Sequence, residues 1–136
     1  MKKLLFFIVC MFACSVFTTE LKAQSQSEPV VYKGWTMLGE SKTLVDVSYR
    51  IIKCGSTAQI HLSIFNENPK DQVTQFELEF TDATRVRKDP KAVSFSLKAA
   101  KIYKALCDSD TSLDTLKIDL PADLDPATVE VRITFK

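Results

Sequence analysis

Hydrophobic and polar residues alternate with a period of two along most of this chain. Between Leu44 and Lys53, Val45, Val47, Tyr49 and Ile51 fall on one side, and Asp46, Ser48 and Arg50 on the other. That is the pattern of a strand with one face buried and one face wet. It returns over Ala58–Phe65, where Ile60, Leu62 and Ile64 face in. It is cleanest over Val73–Thr81, where Phe76, Leu78 and Phe80 alternate with Gln75, Glu77 and Glu79. Val31–Leu38, Ala92–Lys98, Leu116–Leu120 and Thr128–Phe135 complete the set, the last with Val129, Val131, Ile133 and Phe135 inward.

Turn-forming stretches separate these runs: Gly39-Glu40-Ser41, Cys54-Gly55-Ser56, Asn66 to Asp71, a polar loop from Asp82 to Lys91, and Ala122 to Pro126. Seven short strands punctuated in this way predict an all-β domain, a β-sandwich of immunoglobulin-like or fibronectin-like type, with a small closed barrel as the alternative. Phe76, Phe80, Val131 and Phe135 are the residues expected to meet in its core. One segment breaks the period. In Ala99–Leu106 the residues Ala99, Ile102, Tyr103 and Leu106 fall at helical spacing among good helix formers. The spacing predicts a short helix over 99–106, an irregular crossing being the other reading.

The N-terminal residues do not fit the strand pattern at all. Met1, Lys2 and Lys3 precede an apolar run from Leu4 to Phe17. At about 14 residues the run is short of the roughly 20 that a membrane span needs. A basic head, a short apolar stretch and a small residue at Ala23 predict a signal peptide over 1–23, cut before Gln24. Cys14 is preceded by Met11-Phe12-Ala13, which matches a lipoprotein cleavage triplet only at its last position, so cleavage without lipidation is the reading. Residues 24–29 then form a flexible leader, and 30–136 the domain.

The cut changes the charge picture. It removes Lys2, Lys3, Lys22 and Glu20, leaving 113 residues with 15 basic and 16 acidic groups. A near-neutral domain has no overall field to draw in nucleic acid, and nothing in the mature chain is apolar enough to span a bilayer. Cys54 and Cys107 are the cysteines that remain. A pair of them in an exported chain predicts a disulfide, the alternative being two buried thiols.

The run Val45–Cys54, the turn Gly55-Ser56, and Ile60-His61-Leu62-Ser63-Ile64-Phe65-Asn66-Glu67-Asn68 resemble the core hairpin of small exported bacterial proteins with an immunoglobulin-like sandwich and no assigned activity. Cys107 and the strand that closes the chain fit that picture. The resemblance implies a fold and an exported location, and it carries no functional residues. Antibody-type domains place a Trp between two mid-strand cysteines, whereas here Trp35 precedes both and Cys54 ends a strand. The bridge is therefore expected to be a peripheral staple. In the immunoglobulin order its two ends lie at opposite ends of the sandwich, so Cys107 reaches Cys54 only if the preceding segment runs extended, against the helix expected there.

Candidate chemistry is sparse. His61, the one histidine, sits on the outward face of its strand and reads as a solvent-facing polar residue. Asp108-Ser109-Asp110-Thr111-Ser112-Leu113-Asp114, with Asp119, offers oxygens to calcium but lacks the Gly and Glu of an EF-hand loop, and reads as a solvated turn. No cofactor or metal is expected. Arg85, Arg87 and Lys88, with Lys91, form a basic loop that is the first choice for a binding surface. Without interleaved aromatics it is a poor match to nucleic acid. Trp35 is read as a core residue. The function expected is that of an exported, non-enzymatic binding or structural module meeting protein or glycan at the cell envelope. The alternative is a small sandwich hydrolase using carboxylates such as those of Asp108–Asp114.

Overall fold

Val45, Val47, Tyr49 and Ile51 are all buried, while Asp46, Ser48 and Arg50 between them are only partly covered. The same contrast holds over Phe76–Phe80 and Val129–Phe135. The computed structural model describes residues 29–81 and 86–136, and for 86–89 the backbone alone. The expected signal peptide at 1–23, and all but the last residue of the expected leader, lie outside the described residues.

Among the described residues, eight strands form two sheets: β1 (Val31–Glu40), β2 (Val45–Cys54), β3 (Thr57–Asn66), β4 (Gln72–Thr81), β5 (Val86–Leu97), β6 (Ile102–Lys104), β7 (Lys117–Asp119) and β8 (Glu130–Phe135). The larger sheet runs β1-β2-β3-β6, with β7 also paired to β3, and the smaller runs β5-β4-β8. A 3-10 helix over Thr111–Leu116 precedes β7. The β-sandwich expected from the sequence is the fold observed.

Its connections differ from the immunoglobulin order, in which the second and third strands belong to opposite sheets. Here β2 and β3 are a hairpin within one sheet, in register from Val45↔Asn66 to Cys54↔Thr57. The turn is Gly55-Ser56, and Gly55 takes φ 62°, a left-handed conformation that glycine adopts without Cβ strain.

Ile51, Leu62, Ile64, Phe76, Leu78, Leu97, Leu116 and Val129 belong to one buried cluster between the sheets. Phe76, Phe80 and Val131 are buried in it, and Phe135 packs against it with its ring edge-on to that of Phe76 at 6.0 Å.

Two expected elements are corrected. The segment 99–106 holds no helix. Ala99 and Ala100 turn, with Ala100 at φ 50°, and Ile102–Lys104 then pairs with the open edge of β3. Helical propensity over eight residues is worth little, and edge pairing satisfies the same backbone groups. Tyr103 adds an edge-on contact with Phe95 at 5.1 Å and accepts a hydrogen bond from the Lys98 amide. The second correction concerns the loop expected at Asp82–Lys91. β5 begins at Val86, with Thr81↔Val86 and Phe80↔Arg87 in register. A bulge between Leu78 and Phe80 accommodates the Pro90 region. An edge strand needs no alternating pattern to pair along one side, and charges and Pro on it discourage further pairing. That is why Val86-Arg87-Lys88-Asp89-Pro90-Lys91 reads as a loop in sequence.

Candidate functional site

β6 and β7 occupy the same edge of β3, one after the other. Ser63↔Lys104 pairs the first and His61↔Lys117 the second. Between them residues 105–116 leave the edge and return, carrying Cys107. This topology removes the geometric difficulty seen from the sequence. An antiparallel strand beside β3 heads toward the end of the hairpin where Cys54 sits. The Cys54–Cys107 disulfide is formed, with a Cα–Cα separation of 5.6 Å.

His61 lies beside that bridge and is fully buried, which corrects its reading as a solvent-facing residue. It does face away from the Ile60, Leu62 and Ile64 side of β3, but neighbours close over it. Arg50, its cross-strand partner in β2, places Nη2 3.3 Å from Nδ1. Nε2 lies 3.2 Å from Gln59 Oε1 and 3.4 Å from Cys54 Sγ. A guanidinium can only donate, so Nδ1 is the acceptor and Nε2 carries the hydrogen, donating to Gln59 Oε1 beside the sulfur. Burial, then the nearby Arg50 and Lys117 charges, pull the imidazole pKa down to about 4, against a hydrogen bond with the Ala105 backbone. The ring is neutral at neutral pH.

Cys54, His61 and Cys107 bring three donor atoms within 4.8 Å of one another. With the sulfurs bonded to each other, neither is a thiolate that could hold a cation.

The excursion carrying Cys107 is tied at both ends. The Ala105 amide donates to Leu62 O at 3.0 Å. Lys117 Nζ donates to Ser109 O at 2.8 Å and pairs with Asp114 at 3.0 Å. The acidic run expected to be a solvated turn is partly structural. Asp110 caps the 3-10 helix through the Ser112 amide, and Asp119 accepts from Gln59 Nε2 at 2.9 Å.

The outer face of the larger sheet continues from this centre. Arg50 lies over the Trp35 ring at 5.0 Å, and Lys104 of β6 at 4.8 Å. Trp35 is half-buried on this face, outside the core to which sequence reasoning assigned it. Met37 and Ile102 stand 56% and 59% exposed on the same face, with Phe65, paired to Ile102, half-buried between.

Of the basic residues expected to bind, Arg85 lies outside the described residues, while Arg87 and Lys88 belong to β5 by their backbone.

Known proteins add little. No family model matches the sequence, and no curated protein does. One solved structure is similar. It is a DUF1425 family member from Shewanella sp. pv-4, at 16% identity and a TM-score of 0.46, covering 76% of this chain and 89% of that chain.

The Arg50–His61–Cys54 grouping was hidden in the sequence. The register Arg50↔His61 requires β2 and β3 to be hairpin partners, which Gly55-Ser56 signals. The arrival of Cys107 over His61 had no local signal.

Proposed function

We propose that this chain is an exported, non-enzymatic binding module that engages a protein partner at the cell envelope through the outer face of its larger sheet. The observation that carries the reading is Trp35 beneath Arg50 and Lys104, bordered by the exposed Met37 and Ile102. An aromatic anchor with aliphatic neighbours and fixed cations suits a segment that offers apolar side chains and carboxylates together. Two cations already lie over the indole, so the ring is a poor open platform for stacking on a sugar. This favours protein over glycan. Export is supported by the basic head and short apolar run of the sequence, and by a disulfide of the kind that persists in oxidising compartments. The non-enzymatic part is supported by the engagement of Asp110, Asp114 and Asp119 in capping, an ion pair and a side-chain hydrogen bond.

Site-specific photo-cross-linking in intact cells tests this. A cross-linker at Met37 or Ile102 should capture one protein, and Lys104→Glu should abolish that adduct. A cross-linker at Glu79, on the outer face of the smaller sheet, should capture nothing. Equal capture from both faces, or an adduct indifferent to Lys104→Glu, would remove the sheet face from consideration.

A further inference from the structure

We infer that the Cys54–Cys107 bridge is a redox-active disulfide, in which an incoming thiolate attacks Cys107 and Cys54 leaves as a thiolate held by the His61 Nε2–H. The two sulfurs are unequal. Cys107 is exposed on the 105–116 excursion, while Cys54 is half-buried at the end of β2. A thiolate from solvent or from a partner therefore meets Cys107 first. The opposite sulfur lies 3.4 Å from His61 Nε2. Arg50 holds Nδ1 as an acceptor at 3.3 Å, so the imidazole hydrogen stands on Nε2. It serves Gln59 Oε1 at 3.2 Å while the bridge is intact and turns to the adjacent Cys54 sulfur once that sulfur is an anion, the stronger acceptor. The Arg50 and Lys117 charges that act on His61 also favour an anion there. Thiol–disulfide exchange is faster when the leaving sulfur is the better stabilised thiolate, and hydrogen-bond donors with nearby cations provide that stabilisation.

The fold is also arranged to survive opening. β6 and β7 pair with β3 on either side of the excursion, and Lys117 holds Ser109. Losing the sulfur–sulfur bond releases no strand.

A thiolate RS⁻ forms a bond to Cys107 Sγ, the Cys107–Cys54 bond breaks, and its electron pair remains on Cys54 Sγ, which accepts a hydrogen bond from Nε2–H. If the attacker is a dithiol, its second sulfur, as a thiolate, attacks the first and expels Cys107. The partner leaves oxidised by two electrons, and Cys54 and Cys107 are left reduced. The thiol hydrogens of the partner pass to solvent or to the freed sulfurs. One bridge is consumed per dithiol, and no turnover is implied. The inference shares Arg50 with the sheet-face reading, but exchange is read at the two sulfurs and cross-linking at Met37 and Ile102, so each can fail without the other.

The test treats the folded, oxidised protein with reduced glutathione at neutral pH, quenches with acid at intervals, and maps thiols and adducts by mass spectrometry. The bridge should open without denaturant, with glutathione on Cys107 and Cys54 free. A reduced dithiol peptide should open it and leave no adduct, which separates a protein dithiol from a small monothiol as the attacking species. His61→Asn should slow opening at least tenfold. Arg50→Gln, which frees the tautomer and leaves both sulfurs in place, should also slow it, and should raise the pH at which the freed Cys54 becomes alkylated. If His61→Asn fails to fold, Arg50→Gln decides. Opening only in denaturant, glutathione on Cys54, or unchanged rates in the folded variants would make the bridge a purely structural staple and overturn the inference.

Discussion

The side-chain amide of Asn66, at the end of β3, donates to the main-chain carbonyl of Lys98, the residue that follows β5, at 3.0 Å and across 32 residues of sequence. The same amide donates to Lys70 O at 2.9 Å, while Asn66 Oδ1 accepts from the Asn68 amide and from Gln72 Nε2. Asn66 is fully buried, so these bonds are made where water is absent. Asn66→Ala would leave two carbonyls and an amide without partners. A loss of about 2–4 kcal/mol is expected, on the cost of unmet buried groups, read from urea unfolding. A loss under about 0.5 kcal/mol, the ordinary range for surface changes, would show that water replaces the amide.

Stability should fall in acid through His61. Its pKa is lowered from 6.5 to about 4 in the fold, so between those values the unfolded chain binds more protons than the folded one. The His61 contribution is therefore fully present above about pH 6.5 and lost as pH falls toward 4, with roughly 3 kcal/mol at stake. His61 is the one histidine in the chain, so NMR can follow its ring directly. A midpoint near 6.5 in the folded protein would contradict the neutral, Arg50-bound ring.

The disulfide joins residues 53 apart, and closing such a loop stabilises a fold by about 4 kcal/mol in the chain-entropy account. Cys54→Ala should lower the melting temperature under oxidising conditions and have much less effect when reductant is present. Stabilisation of the Cys54 thiolate by His61 subtracts from the benefit of the bridge, because both belong to one thermodynamic cycle. The stability gap between oxidised and reduced wild type should therefore be smaller than the gap in His61→Asn. Differential scanning calorimetry of the four samples measures both, and equal gaps would show that His61 gives the thiolate nothing.

Phe76 and Glu79 contrast the two sides of β4. Phe76 is 1% exposed and stacks edge-on with Phe135, whereas Glu79 faces solvent. Phe76→Ala should cost about 3–5 kcal/mol through lost contacts and the cavity left behind. Glu79→Ala should stay within about 0.5 kcal/mol. Matched denaturation curves provide the comparison, and equal costs would mean that the burial pattern does not govern this strand.

Trp35→Ala should leave the fold intact, because Trp35 packs on the outer face, and should shift the melting temperature far less than Phe76→Ala does. It should nonetheless abolish the cross-linked adduct formed from Met37. A large drop in melting temperature would return Trp35 to the structural role that sequence reasoning gave it.

The local features of this fold are written in its residues. Alternation over Val45–Ile51, Ile60–Ile64 and Phe76–Phe80 dictates which side of each strand is buried, because successive side chains point to opposite faces. Gly55-Ser56 makes β2 and β3 a hairpin, because a two-residue turn returns the chain antiparallel to itself. An even cysteine pair made the bridge a fair expectation. The rest depended on which strand lies next to which. Ile102–Lys104 became a strand because the edge of β3 was open to it, and no short-range propensity reports an open edge. Val86–Lys91 became a strand because an edge position tolerates charges that an inner one would not. His61 shows the limit most plainly. Its place on the outward face was legible, but its burial was not, since the groups that cover it come from Arg50 across the sheet and from Cys107, 46 residues later in the chain. Burial is a sum over neighbours from the whole chain, and only the tertiary structure performs that sum.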